Sequence, residues 1–472
     1  MSQSDAMDAA QRQLESWANA HGVRWLRVVW IDLHGHARSK WLTPVSWARV
    51  WRDGVSMVST LSLKDAADRT AWPVFAGERS AMPEGLLGAQ NLLAVPRPES
   101  LRLLPWAPGH AWVMADLQHP DGQPLAFDAR QVLLKASTDL AQRGWAMRVG
   151  LELEFHVYRV VCDGSRMSPR QAAWPAEAPE VEMLHPGYQL LSDAYADSNH
   201  EVMEIAAEVA AGLGLPLSSM EVEMGPSQFE AVFDAMDALA AADAMVAFRV
   251  ALREALARQG YHVTFMCRPP FDTIMSSGWH LHHSLVDAHG QNAFAPLSAQ
   301  PHLSDLGQSW LAGLLRHASC LAAWGVPTTS GYARFAPNAL APQAAVWGVD
   351  NRGAMLRVVG QGAATRIENR VHEPAANPYL VMAAHIAAGL DGVDQGLRAP
   401  PACESPYASA AERLPADLNT ALDALDQSQV MRAQMGGVVV DHYVHIKRAE
   451  AAQCNQADDR RAWEAKTYFS RL

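Results

Sequence analysis

Cysteine is scarce in this chain: five residues among 472 (Cys162, Cys267, Cys320, Cys403 and Cys454), far apart and without a C-x-x-C pair. That scarcity excludes a disulfide-stapled secreted domain and a structural thiolate zinc site, and it fits reduced thiols in a cytoplasm. A surplus of basic charge is also missing. Lys and Arg number 38 against 50 Asp and Glu, for a net charge of −12, the wrong sign for a surface that collects nucleic acid or anionic lipid. An anionic substrate therefore needs a local basic pocket. The longest apolar run, "YLVMAAHIAAGL", is too short to span a bilayer, and the opening "MSQSDAMDAAQRQLESW" has neither a basic n-region nor an apolar h-region. Repeats, low-complexity tracts and the phosphate loops G-x-x-x-x-G-K-[ST] and G-x-G-x-x-G are absent, so a nucleotide must be held some other way.

What is present is apolar material for a large core, 49% of residues, at a length that favours two domains. Residues 5–20 read as a helix with Leu14 and Trp17 on one side and Gly22 just past its end. "VRWLRVVWIDLHGHARSKWL" reads as two strands joined at His34-Gly35, followed by a helix with Thr43 as N-cap and Pro44 at its first position. A stretch rich in Pro and Gly follows, and the pattern predicts a domain boundary near Trp106. Beyond it, "DARQVLLKASTDLAQRG", "SNHEVMEIAAEVAAGLG", "DALAAADAMVAFRVALREALARQG" and "SDLGQSWLAGLLRHASCLAAWG" read as helices that each stop at a Gly, with strands between them.

Four of those strands place paired ionisable groups on one side. In "GLELEFHVY" alternation puts Leu151, Leu153, Phe155 and Val157 on one face and Glu152, Glu154, His156 and Tyr158 on the other. In "SMEVEMGPSQFEAVF" Glu221 and Glu223 share a face, and Glu230 follows after a Gly-Pro turn. "WHLHHSL" pairs His280 with His282 and turns His283 away; "ATRIENRVHEP" aligns Arg366, Glu368 and Arg370. Taken alone, "GLELEFHVY" reads better as a strand with one wet face. If the faces converge, about five carboxylates and an imidazole share a pocket, which is costly without cations to separate them. Oxygen-rich donors with one nitrogen favour Mg²⁺ or Mn²⁺ over Zn²⁺. Arg334, Arg352 and Arg357 add forks for phosphate and carboxylate oxygens. Metals and arginines without a phosphate loop point to phosphoryl transfer from ATP; a metallohydrolase built on His280 and His282 is the competing reading.

The ordered blocks "GLELEF", "MGPSQFE", "SSGWHLHHSL", "PTTSGYARF", "WGVDNRGAMLR" and "RIENRVHEPAANPYLVMAAHIAAGL" resemble the glutamine synthetase family, over nearly the whole chain. The resemblance implies an α+β fold: a small N-terminal β-grasp domain over residues 20–106 and a catalytic domain over 107–472 whose curved antiparallel sheet forms a funnel. It implies a homo-oligomer, commonly a dodecamer of stacked rings with active sites between subunits. It implies ATP as co-substrate, two or three Mg²⁺ or Mn²⁺ ions per site, and phosphorylation of the glutamate side-chain carboxyl before an amine displaces phosphate. One metal would then be held by Glu154, Glu223 and Glu230, and the second by Glu152, His280 and Glu368. His282 would meet ATP phosphate, Arg366 would lie beside the nucleotide, and Arg334 would grip the substrate carboxylate. Arg352, Arg357 and Arg370 would neutralise the transferring phosphoryl group, and Ser276 and Gly278 would lie along the substrate.

Three departures from the family pattern bear on the nucleophile. Met275 and Ser276 stand where an Asn-Gly pair is usual. The guarding loop "FAPNALAP" has Leu340 in place of a Glu, and "GVSMVSTLSL" carries no acid where an Asp normally completes the ammonium pocket. The expected reaction is therefore ligation of glutamate to an amine, with ammonia-using glutamine synthesis or a non-catalytic structural role as alternatives.

Overall fold

The computed structural model describes residues 12, 14–75, 83, 86–161, 172–296, 302–336 and 340–472. Two sheets organise the chain. The first comprises β1 (Trp25–Ile31), β2 (Ala37–Leu42), β3 (Val55–Val58), β4 (Asn91–Pro96), β5 (Arg102–Leu103) and β6 (His110–Gln118), in the order β2-β1-β6-β4-β3 with β5 on β6. The turn between β1 and β2 holds Gly35 at φ 74°, and the helix Pro44–Asp53 follows with Thr43 and Pro44 in the expected places, although the Thr43 side chain makes no capping bond.

The boundary expected at 106–107 falls short. β6 is a central strand of this sheet, parallel to β1 and antiparallel to β4, so the sheet runs to Gln118. "PWAPGH" looked like a linker because Pro and Gly break regular structure. It is only a tight turn, whose Gly109 carbonyl accepts from the N–H groups of Arg24 and Trp25 as the chain enters β6.

The second sheet contains β7 (Trp145–Val160), β8 (Val181–Met183), β9 (Leu217–Val222), β10 (Gln228–Asp237), β11 (Tyr261–Thr264), β12 (Trp279–Asp287), β13 (Trp347–Val349), β14 (Leu356–Val359) and β15 (Arg366–Asn369). Its path is β13-β14-β15-β12-β7-β10-β9, with β8 and β11 both on β7, and every pair is antiparallel except β13 with β14. The apolar face of β7 is covered by helices. Phe248 of the helix Ala238–Ala257 sits against Phe155 and Phe233. The helix Pro378–Asp394, apolar on nearly every side, is buried among others. Its Gly389 lets the Trp310 ring lie against its backbone, where a Cβ would collide with the indole.

Three of the four expected helices end as read, with Gly144, Gly214 and Gly260 at positive φ. The fourth is two helices, Asp305–Arg316 and Ala318–Gly325, broken at His317, whose Nε2 lies 2.7 Å from Asp391 Oδ2. Gly325 is not a left-handed cap there; it is small because the His372 ring packs where its Cβ would stand. One continuous apolar cluster joins both sheets, from Val28 and Trp112 to Leu153, Phe248 and Leu380. Cys267, Cys320, Cys403 and Cys454 are free thiols; Cys162 and the start of the first helix lie outside the described residues. No helix among the described residues is long and apolar enough to cross a membrane.

Candidate active site

Strand register assembles the site. Glu152 of β7 stands directly opposite His280 of β12, and Glu154 opposite Glu230 of β10. Glu368 of β15 stands opposite His282 on one side and Arg357 of β14 on the other. Directly opposed residues point to the same side of a sheet, so five strands put these groups on one face, away from the covering helices. Gly150 of β7 faces His282 and contributes no side chain. Beside it a cavity of about 330 Å³ opens between Gly150, Glu152, His282, Thr365 and Arg366.

His280 is the hub. Its Nδ1 is 2.9 Å from Glu152 Oε2, 3.8 Å from Glu368 Oε1 and 3.9 Å from Glu230 Oε1, and its Nε2 is 3.7 Å from Glu154 Oε1. Two triplets result, Glu152 with His280 and Glu368, and Glu154 with Glu230 and His280. The first is the metal set that the resemblance implied. In the second, His280 takes the place expected for Glu223, whose oxygens join neither triplet although its charge reaches Glu154 and Glu230. Glu221 is held by Ser219 instead.

The electrostatics fit a divalent cation. Burial and the nearby Glu223 push Glu154 up to about 8; burial and the Glu154 charge push Glu230 up to about 10. Burial raises Glu223 as well. Glu154 and Glu230 therefore hold protons near neutral pH unless another positive charge takes their place. Burial opposes ionisation of Glu152 and Glu368 too, but hydrogen bonds from His280 and His282 to the first, and the His280 imidazole and Arg370 guanidinium beside the second, hold both below the ordinary range. Burial and Arg370 bring His280 down to about 4, leaving a neutral imidazole whose buried Nε2 has no hydrogen-bond partner. An unpaired imidazole nitrogen within reach of carboxylates is a ready metal donor.

The arginines surround this face unevenly. Arg357 donates to Glu368 at 3.0 Å and is braced by Asp350 at 3.0 Å. Arg370 grips Glu368 and donates to the Arg352 carbonyl at 3.1 Å. The Arg352 side chain itself is exposed. Arg366 donates to His282 Nδ1 at 3.2 Å at the cavity mouth. Arg334 is buried, its Nη1 held by the carbonyls of Arg370, Val371 and His372, and its Nη2 lies where a Cβ on Gly278 would be. That explains the glycine, whose N–H also donates to Glu154 at 2.8 Å. Ser276 accepts from Arg268 at 3.2 Å. Leu340 is 56% exposed, with its carbonyl towards Arg370; residues 337–339 of the guarding loop lie outside the described residues.

Sequence reasoning missed the groups that orient this shell. Gln228 donates to both Glu154 and Ser277 while accepting from Gly225, so it fixes the carboxylate and the turn together. It sits inside the quoted "MGPSQFE", so the signal was available. Asp350, which braces Arg357, likewise sits inside the quoted "WGVDNRGAMLR".

Residues 126–468 match the family described as the glutamine synthetase catalytic domain. A γ-glutamylanilide synthase from Acinetobacter sp is 34% identical, with 100% of this chain and 97% of that protein covered. A glutamate–isopropylamine ligase from Pseudomonas sp is 29% identical over 97% of each chain. Among solved structures, the GmaS/ADP complex superposes with a TM-score of 0.78 at 28% identity, covering 96% of this chain and 98% of that one. The fold, the ordered motifs and these matches agree: the chain belongs to the glutamine synthetase family.

Proposed function

We propose that this protein is an ATP-dependent ligase that joins the γ-carboxylate of glutamate to a small amine, releasing ADP and phosphate. The observation that carries the reading is the pair of carboxylate triplets sharing His280, ringed by Arg334, Arg357 and Arg370. The γ-carboxylate oxygen attacks the γ-phosphorus of ATP, and ADP leaves. The amine nitrogen then attacks the acyl phosphate carbon, phosphate departs, and the nitrogen loses a proton. Divalent cations, Mg²⁺ or Mn²⁺, would be held by Glu152, His280 and Glu368 and by Glu154, Glu230 and Glu223, and would supply positive charge for the phosphate oxygens.

The protein's own groups do the remaining work. Arg334, held rigid by three carbonyls, presents its fork to the substrate carboxylate. Arg357 and Arg370 offset charge that develops on the moving phosphoryl group, with Arg352 at the rim. His282 and Arg366 at the 330 Å³ cavity take the nucleotide phosphates. Leu340 supplies an apolar wall where ammonia-using relatives carry an acid, which favours an amine with an uncharged tail; the anilide and isopropylamine named for the relatives are of that kind. A homo-oligomer, a stacked-ring dodecamer with shared sites, belongs to the same proposal. It is supported by apolar side chains left bare beside the first sheet, with Phe75 82% exposed and Val58 39% exposed.

Phosphate release with ATP, Mg²⁺ and glutamate, measured across aromatic, alkyl and hydroxyalkyl amines and NH₄Cl, tests the reading. At least one amine should outperform ammonia by tenfold or more in kcat/KM. Ammonia outperforming every amine makes the protein a glutamine synthetase, and no turnover with any acceptor makes it a structural relative.

A further inference from the structure

A second cavity, about 560 Å³, lies between the β1–β2 turn, the helix Ala238–Ala257, β11 and residues 470–472. That helix covers the apolar face of β7, so the cavity is on the side of the sheet away from the carboxylates. Its walls carry cations without matching anions. Arg249 is only 7% exposed; its Nη1 donates to the carbonyls of Pro374 and Ala376, while its Nη2 has no hydrogen-bond partner and is directed at Gly35 on the cavity wall. One helical turn on, Arg253 donates only to the carbonyls of Arg471 and Ser470, at 2.7 and 2.8 Å.

Among the described residues, no carboxylate pairs with Arg249, Arg253 or Arg471. The acidic groups nearby are already engaged: Glu254 by Arg27 and Trp106, Asp32 by Arg38 and the N–H groups of His34 and His36, and the Leu472 carboxyl oxygen by the Phe265 N–H and the Thr264 hydroxyl. Burial pushes Arg249 and Arg253 down to about 10, and burial pushes His36 beside them to about 3. Arg249 feels the Asp32 charge only from a distance, and guanidinium groups buried without a paired carboxylate are unfavourable until an anion enters. Val246, Val250 and Phe265 complete an apolar wall, and the volume lies in the range of small-molecule sites.

We propose that this cavity binds a small organic anion, its carboxylate or phosphate group held by Arg249, Arg253 and Arg471 and its carbon skeleton by the apolar wall. The site is separate from the ligase reading and stands or falls without it.

Calorimetric titration of the full-length protein with inorganic phosphate and, separately, with succinate tests this, in EDTA so that no divalent cation offers phosphate a second place. One saturable site per chain is expected, and the probe that binds tighter identifies the anionic group. Arg471→Gln, at a half-buried position, and Val250→Trp, which fills the cavity, should each weaken that binding about tenfold or more. Arg366→Gln on the opposite face should leave it unchanged. The proposal is overturned if neither probe saturates, if binding survives both cavity substitutions, or if Arg366→Gln abolishes it.

Discussion

Stripping divalent cations from the protein should make its stability fall between pH 7 and pH 8. The cause is the pair Glu154 and Glu230, held at about 8 and about 10 in the folded chain against an ordinary 4.5. A carboxyl whose folded pKa is raised contributes stability that is complete below its unfolded pKa and is lost as pH climbs through the folded value. In the unfolded chain both groups are ionised at pH 7, while the folded, cation-free site retains up to two protons. Each retained proton contributes a slope of about −1.4 kcal/mol per pH unit, so the pair costs at most about 2.7 kcal/mol between pH 7 and 8. Buried histidines offset only part of this. His156 at about 3, His280 at about 4 and His385 at about 4 have folded values below the ordinary 6.5, so they add stability as pH rises, but most unfolded imidazoles are already neutral at pH 7 and each adds only about 0.1 kcal/mol between pH 7 and 8. Denaturant unfolding in EDTA at the two pH values reads the slope directly. Saturating Mg²⁺ should abolish it, and so should the double substitution Glu154→Gln/Glu230→Gln. A cation-free protein as stable at pH 8 as at pH 7, or a double variant with an undiminished slope, refutes the reasoning.

Glu368→Ala should abolish phosphate release and also destabilise the chain by about 3 kcal/mol in chemical denaturation, because it leaves Arg357 and Arg370 facing no carboxylate. Glu152→Ala should abolish release equally at a smaller cost in stability, since that side chain is 27% exposed. Arg334→Lys should raise KM for glutamate at least tenfold in steady-state kinetics, because an ammonium cannot both bond the three carbonyls and fork a carboxylate. Leu340→Glu should shift the ratio of kcat/KM values towards ammonia by restoring an anion to the guarding loop, as read in the same amine panel.

Much of the candidate site was legible because a strand's side-chain period is two. Reading Glu152 with Glu154, His280 with His282 and Glu368 with Arg366 needed only alternation, and the register then set His280 against Glu152. The order of the strands was another matter. β12 pairs with β7 across more than a hundred residues of chain, and no local pattern reports such a pairing. The same limit explains Glu223. Its spacing from Glu230 suggested a common cluster, but it lies just past the end of β9, where alternation no longer dictates direction. The boundary near Trp106 failed because Pro and Gly mark any break in regular structure, whether a linker or a turn between strands of one sheet. The break at His317 was hidden for the opposite reason: two short helices in line keep the apolar spacing of one.

His280 belongs to both triplets, and a neutral imidazole carries a hydrogen on one ring nitrogen and a lone pair on the other. The ring can therefore serve only one cation at a time. If Nδ1 offers its lone pair towards Glu152 and Glu368, Nε2 keeps its hydrogen and the triplet with Glu154 and Glu230 is left with carboxylates alone; the other tautomer reverses the assignment. Two cations held on this face would thus be inequivalent by construction, one with a nitrogen donor and one with oxygen donors alone. They should differ in how readily they exchange and in how strongly they prefer Mn²⁺ to Mg²⁺, and a single proton moving across one ring decides which is which.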